Sequence, residues 1–165
     1  MKDDKISKVA FDFEFESLTG GALPLSRFAG HPLLVINTAS KCGFTPQYAG
    51  LETLWQRYRD RGLVVLGVPS NDFGQQEPGD SSEITGFCQK NYGVDFPMAA
   101  KVHVKGPEAH PLFRWFTEQG AGRPRWNFYK YLIGSDGRLR TWYSSITRPN
   151  SRRFERAIAG LVEGP

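Results

Sequence analysis

"PLLVINTASKCGFTPQYAGLETLWQRYRDRGLVVLGVPS" (Pro32–Ser70) reads as strand, helix, strand. Its first eight residues, Pro32–Ala39, are apolar and β-branched, the pattern of a buried strand. Between Gln47 and Gly62, the residues Tyr48, Leu51, Leu54, Trp55 and Tyr58 recur at spacings of three and four, one face of a helix. Pro46 suits a first helical turn and Gly62 a C-terminal stop. Leu63–Ser70 is a second buried strand. Two buried strands joined by a helix form a right-handed βαβ unit, and buried parallel strands need cover on both faces of the sheet.

The remaining segments extend this unit. "NDFGQQEPG" is a polar loop, and "DSSEITGFCQKNYG" is a helix whose Asp80 and Glu83 are spaced as a capping box. "FPMAAKVHV" is short and extended. "EAHPLFRWFTEQG" reads as a helix broken near Pro111. "FYKYLIGSDGRLRTWYSS" is a hairpin turning at "SDG", and "NSRRFERAIAGLVEG" closes the chain as an amphipathic helix. Strand, helix, strand, helix, hairpin and helix give the α/β class, with a thioredoxin-like pattern: a central mixed sheet flanked by helices on both faces, and an extra helix before the hairpin.

The chain's 165 residues point to one domain spanning positions 1–165. Apolar residues make up 39% and charged residues 23%, an ordinary globular balance. No run nears the roughly 20 apolar residues of a membrane-spanning helix. The first residues carry no apolar signal-peptide core, so a cytoplasmic location is the expectation. The net charge of +4 comes largely from late arginines, which read as a solvated basic face, with a surface that attracts an acidic protein partner as the alternative. Zinc-finger spacing, RNP patterns and basic-helix runs are missing, so nucleic acid is not expected.

Two cysteines, Cys42 and Cys88, cannot build a disulfide scaffold. With three scattered histidines and no CxxC pair, they make no metal-ligand set either. Cys42 stands just beyond a buried strand and before a helix start. Backbone N–H groups and the positive end of a helix dipole stabilise anions there, and a thiolate is such an anion. Lys41 adds a neighbouring charge. Ligands of open α/β sheets also bind at the carboxyl ends of strands. Against this stands an inert buried thiol, common in cores. The polar, glycine-bearing flanks "SKCGFTPQ" favour reactivity. With Thr45 in the fourth position, exchange within a CxxC motif is ruled out. A reactive thiolate without a near partner suits attack on an oxidant, giving a sulfenic acid.

Three stretches, in order, resemble the glutathione peroxidase family of thioredoxin-fold hydroperoxide reductases: "VINTASKCGFTPQYAGLETLWQRY", "GLVVLGVPSNDFGQQEPG" and "WNFYKYLIGSDG". The resemblance spans about Phe11 to Val162 and implies a catalytic set residue by residue. Cys42 falls on the peroxidatic position, making this a sulfur enzyme without a cofactor. Gln76 falls on the family's glutamine, and Trp126 and Asn127 on its tryptophan and asparagine. Taken singly, Gln76 reads as a loop residue, Trp126 as core and Asn127 as a turn residue. As a set, they are neutral N–H donors able to stabilise a thiolate and polarise a peroxide.

The resemblance also implies a resolving role for Cys88, on the helix where thioredoxin-dependent members carry one. Here it lies four residues after Ile84 rather than five, about 100° around a helix. The competing reading is a core thiol beside Phe87. Ser70 and Asp72 stand where the family often has Cys and Gln. Only nine residues, Thr117–Arg125, precede "WNF". The longer insertion of tetrameric relatives is missing, which implies a monomer with an open site. The expected partners are a hydroperoxide substrate and thioredoxin as reductant, with glutathione as the alternative and a peroxide-sensing relay as a further one. Arg123 and Arg125 flank Trp126 and would meet either reductant.

Overall fold

The computed structural model describes residues 8–164. The expected βαβ unit is present. β3 (Leu33–Thr38) is buried at all six positions and pairs in parallel with β4 (Val64–Pro69), Leu33 opposite Val64. Between them runs α1 (Gln47–Tyr58), which buries Tyr48, Leu51, Leu54 and Tyr58 on one face. It ends through a short turn at Gly62, whose φ of +101° is cheap only for glycine. β5 (Lys130–Ile133) pairs antiparallel with β3, and β6 (Leu139–Tyr143) antiparallel with β5. The sheet order is therefore β4-β3-β5-β6, mixed as expected.

α2 (Ser81–Tyr92) carries the predicted capping box, with Glu83 N–H donating to Asp80 and Asp80 N–H to Glu83. α4 (Arg152–Glu163) is capped by Ser151. α3 spans Pro111–Glu118, which corrects the sequence reading. Pro111 does not break a helix begun at Glu108; it starts one. Proline lacks the N–H that a first helical position leaves unpaired, and its φ is preset for helix.

The reading also passed over β1 (Glu14–Glu16) and β2 (Ala22–Pro24), an antiparallel hairpin turning at Gly20 and Gly21. Its period-2 pattern is three residues long per strand, too short to stand out. "FPMAAKVHV" is extended but pairs only through isolated bridges, one of them Gly67 with Met98. A Cβ on Gly67 would lie 2.5 Å from the Met98 sulfur, so only glycine lets that segment reach β4.

Strand alternation divides the core. Leu34, Ile36, Phe128 and Leu132 point to the side of α1, α2 and α4. Leu33, Val35, Tyr131 and Ile133 point to the side of α3 and the N-terminal hairpin. Helices thus cover both faces, and the carboxyl ends of β3 and β4 open onto the loops that carry the candidate residues.

Candidate active site

Cys42 lies in the loop between β3 and α1. Thr45 ties that loop shut: its Oγ1 accepts the Cys42 N–H at 2.9 Å and donates to the Ala39 carbonyl at 2.9 Å. The Thr45 N–H returns to the Cys42 carbonyl at 3.0 Å. This turn aims the Phe44 N–H at the sulfur, which accepts it at 3.3 Å. Cys42 is 8% exposed, reached by solvent but largely enclosed. The start of α1 is several residues away, so the nearest anion-stabilising donor is this loop amide rather than the helix end itself. The Lys41 side chain borders a cleft with Ser40 and Glu77, and its charge acts on the Glu77 carboxyl.

Gln76 lies in the loop after β4. Its carbonyl accepts the Lys41 N–H at 3.0 Å, joining its backbone to the residue beside Cys42. Its Oε1 accepts from Asn127 Nδ2 at 3.1 Å. Asn127 is fully buried and leaves its Oδ1 without a protein partner. Trp126 is half-buried, its ring 5.9 Å from that of Phe73. Gly74, at φ +64°, passes close beneath the indole, where a Cβ would meet it at 3.1 Å. The hydrogen bonds thus join the segments carrying Cys42, Gln76 and Asn127, and Trp126 comes with Asn127.

Backbone strain marks the same place. Among the described residues, the non-glycine residues with positive φ are Gln75 (+53°) and Phe128 (+64°). One precedes Gln76 and the other follows Asn127. Each such conformation costs on the order of 1–3 kcal/mol and persists only where the surroundings impose it.

At Phe128, Asn37 imposes it. This buried strand residue donates from Nδ2 to the Trp126 carbonyl at 2.8 Å and accepts the Tyr129 N–H at 3.0 Å. Its own carbonyl accepts the Phe128 N–H at 2.6 Å. The sequence reading missed Asn37, although an asparagine inside an apolar strand was a usable signal, because a buried amide needs partners. It also missed Thr45 and Ser145. The Ser145 hydroxyl donates to the Asn127 carbonyl; nothing in the local pattern marks that role.

Cys88 is placed differently. It sits mid-helix on α2, 2% exposed, on the same inward stripe as Ile84. The Tyr48 hydroxyl is buried beside the sulfur, between Cys88 and Thr38. Burial raises the Cys88 thiol to about 11, offset in part by the Tyr48 hydroxyl and reinforced by the Glu77 carboxylate. Glu77 is itself raised by burial. Both thiols are free. The one-residue offset from the expected register therefore turns Cys88 into the core.

Among the described residues, no group of three or more His, Cys, Asp or Glu side chains is placed to hold a metal. No described helix is long and apolar enough to cross a membrane. Arg123 and Arg125, on either side of Pro124, are exposed next to Trp126.

Residues 10–117 match the family model described as glutathione peroxidase. The chain is similar to a glutathione peroxidase-like peroxiredoxin of Schizosaccharomyces pombe, 48% identical over 84% of this chain and 90% of that protein. It is also similar to a hydroperoxy fatty acid reductase of Synechocystis, 47% identical over 85% of this chain and 89% of that one. The crystal structure of Trgpx in apo form superposes with a TM-score of 0.78, at 34% identity over 97% of this chain and 99% of that chain. A thioredoxin-family thiol:disulfide interchange protein from Chlorobium tepidum shares the fold, with a TM-score of 0.70 at 14% identity over 95% and 99% of the two chains.

Proposed function

The chain belongs to the glutathione peroxidase family, and we propose that within it the protein is a thiol peroxidase reducing hydrogen peroxide and organic hydroperoxides through Cys42. The observation that carries this reading is the chain of hydrogen bonds that joins the loop of Cys42 to Gln76 and Asn127. Cys42 Sγ accepts the Phe44 N–H, and the loop holding it is bonded to Gln76, which is bonded to Asn127.

In the first step, the Cys42 thiolate attacks the terminal oxygen of ROOH. The O–O bond breaks, an S–OH bond forms, and RO⁻ leaves to take up a proton as ROH. The sulfur is oxidised by two electrons and the peroxide reduced by two. The amide N–H groups of Gln76 and Asn127 and the indole N–H of Trp126 are the donors for the thiolate and the departing oxyanion. Such donors act strongly where water is scarce and need no rearrangement during the reaction.

In the second step, a thiol attacks the sulfenic sulfur, forms a disulfide and releases water. Cys88 is the internal candidate, and a thioredoxin dithiol then restores both thiols. As placed, Cys88 is protonated and inward-facing, so this step requires α2 to open. The same burial supports a second reading, in which glutathione reduces the Cys42 sulfenic acid directly and Cys88 stays in the core. The exposed Arg123 and Arg125 suit an acidic protein or a small anionic thiol. The reading takes residues 1–165 as one cytoplasmic, monomeric catalytic domain that needs no metal or cofactor.

A peroxide assay coupled through NADPH to thioredoxin or to glutathione tests these statements together. Cys42→Ser is expected to lose turnover with both, and retained activity would overturn the role of Cys42. Cys88→Ser is expected to consume roughly one equivalent of peroxide and then stall with thioredoxin, as a sulfenic acid without a resolver should. Full thioredoxin-driven turnover by Cys88→Ser would instead establish the direct route.

A further inference from the structure

β5 begins with Lys130, whose side chain is fully buried. It faces the α1–α4 side of the sheet, opposite Ile36 on β3 and Tyr143 on β6. Its Nζ donates to the Ser144 carbonyl at 3.3 Å and approaches the Ser145 carbonyl at 3.5 Å. It has no ion-pair partner among the described residues.

These two serines, just beyond β6, form a strap that meets the site twice more. The Ser145 carbonyl accepts from Gln47 Nε2 at 2.7 Å, fixing the first residue of α1. The Ser145 hydroxyl donates to the Asn127 carbonyl. The strap therefore receives a donor from β5 and one from α1, and it holds the backbone of Asn127. A buried ammonium without a counter-ion costs stability, so Lys130 is a poor choice if packing alone matters. A methionine would fill the same volume.

We infer that Lys130 is a positioning residue for the reaction at Cys42, holding the Ser144–Ser145 strap that fixes Asn127 and the start of α1. The inference rests on the thiol-peroxidase reading above. Lys130 reaches no reacting atom; it acts through Ser145.

Burial alone lowers the Lys130 ammonium to about 7, so its charge changes near neutrality. The titratable and charged groups brought to this side are Cys42 from the β3–α1 loop, Tyr48 and Tyr58 from α1, Cys88 and Tyr92 from α2, Tyr143 from β6, and Arg153 from α4 with its guanidinium 4.9 Å from the Tyr143 ring centroid. Two carboxylates lie on this side but neither pairs with Lys130: Glu155 of α4 pairs with Arg57 of α1, and Glu77 acts on Cys88 and Tyr48. Below neutrality, Lys130 makes charge-assisted bonds to the strap; above it, weaker neutral ones.

Stopped-flow measurement of Cys42 oxidation by hydrogen peroxide, from pH 5.5 to 9, tests the inference on wild type, Lys130→Met and Ser145→Ala. Lys130→Met is expected to lower the second-order rate constant about tenfold below pH 7, the scale of a lost positioning hydrogen bond. It should also remove an inflection near pH 7 from the wild-type profile, with the thermal midpoint unchanged or raised. Ser145→Ala, which cuts the strap from Asn127, should lower the rate similarly and flatten the same inflection. Rates within twofold of wild type in both variants would overturn the inference, as would an inflection that survives in Lys130→Met. If Lys130→Met does not fold, Ser145→Ala decides alone. A wild type inert to every hydroperoxide would instead sink the peroxidase reading, so the two failures are distinguishable.

Discussion

Cys42 and Cys88 are both nearly enclosed, at 8% and 2% exposure, yet their surroundings prepare them for opposite behaviour. Cys42 stands in a loop whose backbone is pinned by Thr45 and whose sulfur receives an amide N–H. Cys88 stands mid-helix, where every nearby backbone N–H is committed to the helix ladder. Its sulfur lies among apolar side chains with the Tyr48 hydroxyl beside it and the Glu77 carboxyl nearby, and burial holds its proton up to about 11. Burial alone does not decide whether a thiol is reactive. What separates the two is an uncommitted backbone amide facing the sulfur, which loops and helix starts supply.

The largest expected effect lies in thiol chemistry. At pH 8, a thiol with a pKa of about 11 is ionised to roughly one part in 10³, and enclosure slows reaction further. Iodoacetamide should therefore modify Cys42 at least about 100-fold faster than Cys88, as read by peptide mass spectrometry. Equal rates would break the comparison.

A smaller effect appears in stability against pH. The folded Cys88 keeps its proton where the unfolded thiol loses it, so its contribution is intact below about pH 9 and is lost as pH rises toward 11. Between those limits, wild type should lose up to about 1.4 kcal/mol per pH unit more than Cys88→Ala in urea unfolding. Parallel curves for the two proteins would show that the Cys88 proton is not coupled to folding.

The smallest effect concerns the opening of α2. Asp80 caps this helix from the surface, and Asp80→Ala should weaken it by about 1 kcal/mol. That raises the opened population roughly fivefold, and Cys88 labelling and disulfide formation should accelerate by the same factor. An unchanged rate would mean that Cys88 is reached by some path other than the unwinding of α2.

Much of the architecture was legible because it rests on local patterns. The βαβ unit followed from two β-branched runs around a 3.6-period helix, and α2 from its capping box. The N-terminal hairpin escaped because its strands are three residues each. α3 was misjudged at Pro111 because a proline that starts a helix and one that breaks it look alike in sequence. The site was legible only in part. Local position marked Cys42 as reactive, and resemblance to a family supplied Gln76, Trp126 and Asn127. Ser145 and Lys130 were not visible as parts of the site, and Asn37 showed only as a polar residue in an apolar strand, since their partners lie 14 to 98 residues away in sequence.

By itself, then, the sequence determined the α/β class, the place of Cys42 between strand and helix, and the family to which the chain belongs. These depend on periodicity, capping and short motifs, all of which act over a few residues. The tertiary structure decided which face of α2 carries Cys88, and that strain at Gln75 and Phe128 flanks the site. It also decided that a buried lysine braces the strap behind Asn127. Those outcomes depend on hydrogen bonds between distant segments, and on a burial that no single segment can produce alone.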